Sequence, residues 1–199
     1  MIDWNATRFD PQSALGHVES HFLMLNDAEG RRALWLKATI LRRLDGDAVA
    51  EAWAVAFDRE LGHVAAKRVV PWESASFSRE GLAVRVAELA MDATHTRGSI
   101  AADGGAIAWE LAFAGDMAPF APLSAGLYRD DAPNAKIVSP RPDLRFSGHY
   151  RVGDRRVAVD GAACRDTTGD RATPTPTGGC TATFGAARRI SSSRGSPRA

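Results

Sequence analysis

Through the first 160 residues, apolar side chains recur at every second position in short runs, and each run ends at a cluster of turn residues. That spacing marks half-buried β-strands. It predicts strands over His17 to Leu25, Ala33 to Leu41, Ala48 to Phe57, His63 to Val70, Leu82 to Leu89, Arg97 to Ala102, Ala106 to Ala114, Phe146 to Val152 and Arg155 to Val159. Asp45-Gly46, Asp103-Gly104-Gly105 and Gly153-Asp154 read as hairpin turns, because glycine and aspartate tolerate the backbone of tight turns. Met117 to Asp143 carries Pro119, Pro122, Pro133, Pro140 and Pro142, too many for a helix or a central strand, and is expected to be an irregular excursion. The Ala-rich run Asp47 to Phe57 holds good helix formers. However, Val49, Trp53, Val55 and Phe57 share one parity and Ala50, Ala52, Ala54 and Ala56 the other, which favours strand. The pattern predicts an all-β, antiparallel fold whose sheet closes on itself or forms a sandwich.

The second and third strands have two distinct faces. One carries Leu34, Leu36, Ala38 and Ile40 with the small alanines, an aliphatic core face. The other carries Trp35, Lys37 and Thr39 with Glu51, Trp53, Val55 and Phe57. Aromatic walls with a few polar groups suit a pocket for an apolar ligand with a polar end. The competing assignment is a half-exposed face, or one packed on another domain, with Lys37 and Glu51 paired across strands.

At Gly161 the pattern stops. Between Ala162 and Ala199 the only large apolar residues are Phe184 and Ile190, and the rest is mostly Thr, Ser, Pro, Gly, Ala and Arg. So little apolar surface does not offset the entropy of ordering, so residues 161–199 are expected to be a disordered tail after a folded domain over 1–160. A wrong reading frame would also produce such a tail. Joining the third base of each codon to the first two of the next, from Asp160 onward, permits the string W-R-G-M-Q-G-H-N-W-G-P-R-H-A-D-A-Y-G-W-V-H-G-N, richer in aromatic residues and histidine than the chain itself.

Bulk properties narrow the function. The chain has 199 residues, 45% hydrophobic and 25% charged, with a net charge of +1, as expected of one soluble globular domain and with no global pull toward nucleic acid or anionic membrane. The start, Met1-Ile2-Asp3-Trp4-Asn5, carries no secretory signal pattern, and no apolar run is long enough to span a membrane, so a cytoplasmic location is expected. Cys164 and Cys180 both fall in the tail without a nearby histidine and imply neither a metal site nor a disulfide framework.

Several segments carry a resemblance. Gly16-His17-Val18-Glu19-Ser20-His21-Phe22-Leu23-Met24-Leu25-Asn26-Asp27 resembles the motif G-H-x-E-S-x-F-L-K-x-N-D, with Met24 where the motif has Lys. Arg32 to Leu41, Glu51 to Asp58, Lys136 to Asp143 and Phe146-Ser147-Gly148 follow in the matching order, and the alternative frame supplies G-H-N-W-G next. Together they resemble the AttH/hydroxyneurosporene synthase (carotenoid 1,2-hydratase) group of tandem lipocalin-like proteins, which is related in fold to tocopherol cyclase. The resemblance spans about residues 14 to 160. It implies a lipocalin-like β-barrel, the first of a tandem pair, that binds an isoprenoid or lipid-like molecule. Hydratase members of the group add water across an isoprenoid double bond. Without the second barrel and the H-N-W-G segment, that activity is expected to be impaired, leaving a binding domain or a remnant without a ligand. Loss of a partner barrel would expose sheet edges and favour self-association.

Hydration of an alkene needs an acid strong enough to protonate carbon and a dry aromatic pocket to shelter the cation. Glu19, Glu51 and Asp58 are the candidate acids, with Glu110 a further carboxylate inside a strand; a carboxyl whose pKa is raised by burial would serve. Trp35, Trp53 and Trp109, with Lys37 and His21, are the candidate ligand-binding residues. The competing assignments are exposed or ion-paired carboxylates and core tryptophans. His21 and Glu19 share a strand face at i and i+2 and form a plausible polar pair, short of the three or four ligands a metal needs. With no G-x-S-x-G and no phosphate loop, no cofactor is expected.

Overall fold

Asp45-Gly46 and Gly153-Asp154 turn the chain as expected, with Gly46 at φ 99° and Gly153 at φ 57°, backbone that favours glycine. The computed structural model describes residues 3–13, 15–102, 105–129 and 135–172. The strands in chain order are β1 (Gly16–Asn26), β2 (Arg32–Arg42), β3 (Ala48–Asp58), β4 (Gly62–Pro71), β5 (Ala75–Phe77), β6 (Ala83–Val86), β7 (Leu89–Asp92), β8 (His95–Ala102), β9 (Gly105–Ala114), β10 (Ala135–Val152) and β11 (Arg155–Ala172). A short helix α1 (Ala125–Arg129) precedes β10. The Ala-rich run is strand β3, its alanines buried at one parity. Asp103 and Gly104 lie outside the described residues, although the β8–β9 ladder reaches Ala102 and Gly105 on either side.

All strands join one antiparallel sheet in the order β4-β3-β2-β1-β11-β10-β9-β8-β7-β6-β5. The sheet curls so that β4 lies against β8 and β2 and β3 face β6, an all-β, lipocalin-like barrel. The ladder itself stays open, with β4 and β5 as its edges. No helix among the described residues is long and apolar enough to cross a membrane, which leaves membrane-spanning strands unaddressed.

Two expectations are corrected here. The Pro-rich excursion is only partly irregular: β10 runs through Pro140 and Pro142, where its register to β11 shifts twice, between Val138 and Arg141 and between Arg141 and Leu144. Proline lacks a ladder donor, so the strand absorbs it at irregularities. Between them Arg141 donates to the carbonyls of Gly115 (2.6 and 2.9 Å) and Ala93 (2.6 Å), tying β10 to neighbouring loops. The break at Gly161 does not end the last strand. β11 continues to Ala172 and pairs with β1 from Leu25↔Ala163 to Gly16↔Ala172, and with β10 on its other side. A strand with neighbours on both sides is held by backbone hydrogen bonds that need no large side chain. Residues 173–199 of the expected tail lie outside the described residues.

The interior is filled. Leu23, Leu25, Leu34, Leu36, Ala38 and the alanines of β3 face Val84, Val86, Leu89, Met91, Ile107, Leu111, Phe113 and Phe146 in one contiguous buried cluster. Alanines on one wall admit the bulk of the other, and among the described residues this apolar cluster occupies the barrel core.

Candidate functional site

Apart from Trp109 and Glu110, the residues singled out from the sequence fall into three places. The first is the mouth where β1 begins. Glu19 and His21 face inward there, and the segment from Thr7 to Ser13 lies over them as a strap. Glu19 is 0% exposed. It accepts hydrogen bonds from the backbone N–H of Arg8 (3.0 and 3.1 Å) and Phe9 (3.0 Å), and its Oε2 lies 3.1 Å from His17 Nε2. His21 Nε2 stands 3.6 Å from Oε1 and 3.4 Å from Thr7 Oγ1. Burial by itself would raise the carboxyl pKa, but the hydrogen bonds from His17, His21 and the strap outweigh it and hold the group at about 2. A carboxyl so held is ionised at neutral pH and has no proton to give an alkene. The strap is fastened in turn by Arg42, which bonds the carbonyls of Ser13 and Pro11 and stacks over Phe9, and by Arg79 on the Phe9 carbonyl. Among the described residues, no three His, Cys, Asp or Glu side chains are placed to share a metal ion.

The second place is the outer face of β1 to β4. Trp35, Lys37 and Trp53 lie here, opposite the aliphatic core face, so the expected pocket wall is a half-exposed convex surface. The leucines already fill the inside, and the larger indoles take the side with room. Lys37 sits between Trp35 (5.5 Å) and Trp53 (5.9 Å), and partial burial lowers its ammonium pKa against the pull of Glu51. Glu51 is ion-paired, as its competing assignment had it: of the two lysines open to it, Lys37 and Lys67, it pairs with Lys67 (2.6 Å), and it accepts from Trp53 Nε1 (2.9 Å). Glu110 is exposed.

Trp109 belongs to the core. Its indole occupies the space left by the missing side chain of Gly98, where a Cβ would come within 2.5 Å of the ring, and its Nε1–H donates to Thr96 Oγ1 at 3.0 Å.

The third place is the opposite mouth, where β1 ends. Asp58 closes the β3–β4 turn, accepting from the backbone N–H of Glu60 (2.9 Å) and Leu61 (3.0 Å). Its other oxygen takes Arg32 Nε (3.1 Å) and an Arg155 terminal nitrogen (2.8 Å), a tie across the mouth from β3 to β2 and β11. The Leu61 and Glu60 amides, and then the two guanidiniums, hold Asp58 well below the usual carboxylate range, so it too is an ion-pair anchor and not an acid. Beside it lies a partly open cleft of about 90 Å³, with Leu25, Leu34, Val157 and Val159 as apolar walls and Arg32, Asp27 and Asp160 as charged ones. Tyr150 also lines it. This residue is 2% exposed, its hydroxyl has no hydrogen-bond partner among the described residues, and burial raises its pKa. Of the residues named from the sequence, only Asp58 belongs here; Tyr150, Arg32 and Arg155 were missed. The available signal was parity, since Tyr150 stands opposite the core residue Trp109 in the β9–β10 register.

A protein of known structure shares this architecture. It is a protein from Nitrosomonas europaea provisionally described as AttH, with a TM-score of 0.60 and 12% identity over 88% of this chain. This chain spans 59% of that protein's length. At that identity the likeness bears on the fold alone, an AttH-like one. No family model and no curated protein matches the sequence.

Proposed function

We propose that this lipocalin-like domain binds an apolar small molecule, isoprenoid or lipid-like, whose end enters the cleft at Tyr150. The observation that carries the reading is the buried Tyr150 hydroxyl, without a partner among the described residues and set among apolar walls with room beside it. A buried, unpaired hydroxyl costs about 1–3 kcal/mol, and a ligand that bonds it recovers part of that. The cleft of about 90 Å³ is well below the roughly 300–1,000 Å³ of a drug-sized pocket, so only the end of the ligand enters and its body extends through the opening. Binding is favoured over hydration because Glu19 and Asp58 are fixed as carboxylates and Glu51 is ion-paired. The ordered motif segments and the H-N-W-G of the alternative frame support a relationship to the AttH/hydroxyneurosporene synthase group, with codons past about 161 out of register; genomic sequence across that codon decides this.

Titration with all-trans-retinol, followed by quenching of tryptophan emission, tests the binding. Saturation at micromolar retinol is expected. Val157→Phe enlarges the residue that faces Tyr150 across the β10–β11 ladder and is expected to weaken binding at least tenfold with the melting transition kept. Absent quenching, or equal affinity in the variant, rejects the cleft. The filled interior favours a second reading, a scaffold with no ligand, and absent quenching would support it.

A further inference from the structure

The cleft's charges and its one unpaired group constrain the chemistry of the ligand's polar end. Tyr150 offers an O–H with no acceptor among the described residues. An ammonium head could donate to the phenol oxygen, but it brings only donors, so it would give up its own hydration and still leave the phenol proton without an acceptor. A carboxylate would accept it, but the charges around the cleft oppose an anion. Arg32 and Arg155 are both engaged by Asp58, and Asp27 and Asp160 line the same space. Among the described residues two guanidiniums thus stand against three carboxylates, a balance that opposes an incoming anion. A carbonyl or alcohol oxygen accepts the phenol proton without adding charge.

We infer that the site selects an apolar molecule ending in a neutral oxygen acceptor, a ketone, aldehyde or alcohol, and discriminates against the carboxylate and amine of the same chain. This rests on the binding reading above and adds the class of head group. The walls accommodate it: Leu25, Leu34, Val157 and Val159 flank the head and first carbons, and about 90 Å³ corresponds to roughly three water volumes, enough for an oxygen and a few carbons.

Competition against bound retinol by a matched twelve-carbon series (dodecanol, dodecanal, dodecanoate and dodecylamine, below their micellar concentrations) tests the inference. Dodecanol and dodecanal are expected to compete at least tenfold more tightly than dodecanoate or dodecylamine. Tyr150→Phe is expected to weaken the two neutral competitors about five- to tenfold, the loss of one buried hydrogen bond, and to leave the charged ones unchanged. If retinol fails to bind, the binding reading itself fails. If retinol binds but dodecanoate or dodecylamine competes as tightly as dodecanol, the head-group inference is overturned and the binding reading survives. Unchanged dodecanol affinity in Tyr150→Phe, with the fold intact by circular dichroism, overturns the phenol's role.

Discussion

At the mouth beside the N-terminal strap, a buried carboxylate accepts from two backbone N–H groups and pairs with a histidine; at the opposite mouth, a buried phenol has no partner among the described residues. About six residues of β1, roughly 20 Å at about 3.3 Å per residue, separate the two. Both mouths set polar groups among apolar side chains, Phe9 and Phe77 at the first and Leu25, Leu34, Val157 and Val159 at the second. The difference lies in what closes them. The first is roofed by the chain's own Thr7, Arg8 and Phe9, and Phe9 packs edge-on against Trp72 at 4.7 Å. The second, among the described residues, is crossed by the Asp58 ion pairs, with space left beside them. A satisfied buried charge at a closed mouth serves the fold, whereas an unsatisfied hydroxyl at an open one is available to a partner.

The largest expected effect tests the closed mouth. Glu19→Gln replaces an acceptor-only group by one whose NH₂ faces the strap amides, and chemical denaturation should show a loss of about 3 kcal/mol. The pH dependence follows the same group. Its folded pKa, about 2, lies below the ordinary 4.5, so its contribution is complete above about pH 4.5 and is lost as pH falls toward 2. Stability of the parent protein should decline steeply in that window and that of Glu19→Gln much less; identical profiles would remove Glu19 as the anchor. A smaller effect is expected from Asp58→Asn, which keeps the turn but weakens both guanidinium contacts. Its melting temperature should fall by less than that of Glu19→Gln, and the shortfall should shrink in high salt, because Arg32 and Arg155 are partly exposed. The smallest is Tyr150→Phe in the absence of ligand, which removes an unpaired hydroxyl and should leave stability unchanged or raise it by up to about 1 kcal/mol. A loss of more than that would mean the hydroxyl is already bonded, and the contrast between the mouths would collapse.

Parity made most of this sheet legible. The ends of β1 to β4 fall within a residue of the runs read from alternation, and Leu34, Leu36, Ala38 and Ile40 form the core face assigned to them. What alternation leaves open is the fate of the second face when it too is apolar. Trp35, Trp53 and Phe57 suit a pocket wall as well as a convex surface, and the choice depends on how completely the opposite wall fills the inside. Val84, Val86, Met91 and Phe113 settle that from distant parts of the chain. Tyr150, Arg32 and Arg155 escaped for a related reason. Arg32 is the cross-strand partner of Asp58 in the β2–β3 ladder, legible only once the hairpin register is fixed, whereas Arg155 and Tyr150 come from β11 and β10, far along the chain. The two prolines of β10 and the low hydrophobicity past Gly161 argued against strand on local grounds. Pairing on both sides of β11 overrides them.

That central place of β11 bears on how the barrel is completed. β1 to β4 and β5 to β10 are two meanders, each able to zip from neighbour to neighbour, and in the finished ladder they meet only through the last strand. Every rung it shares with β1 comes from Ala163 to Ala172. On a ribosome both meanders therefore emerge first, with β1 and β10 unpaired along their inner sides. The slowest step joins parts distant in sequence, and until then those bare flanks are where a neighbouring nascent chain would add a strand of its own.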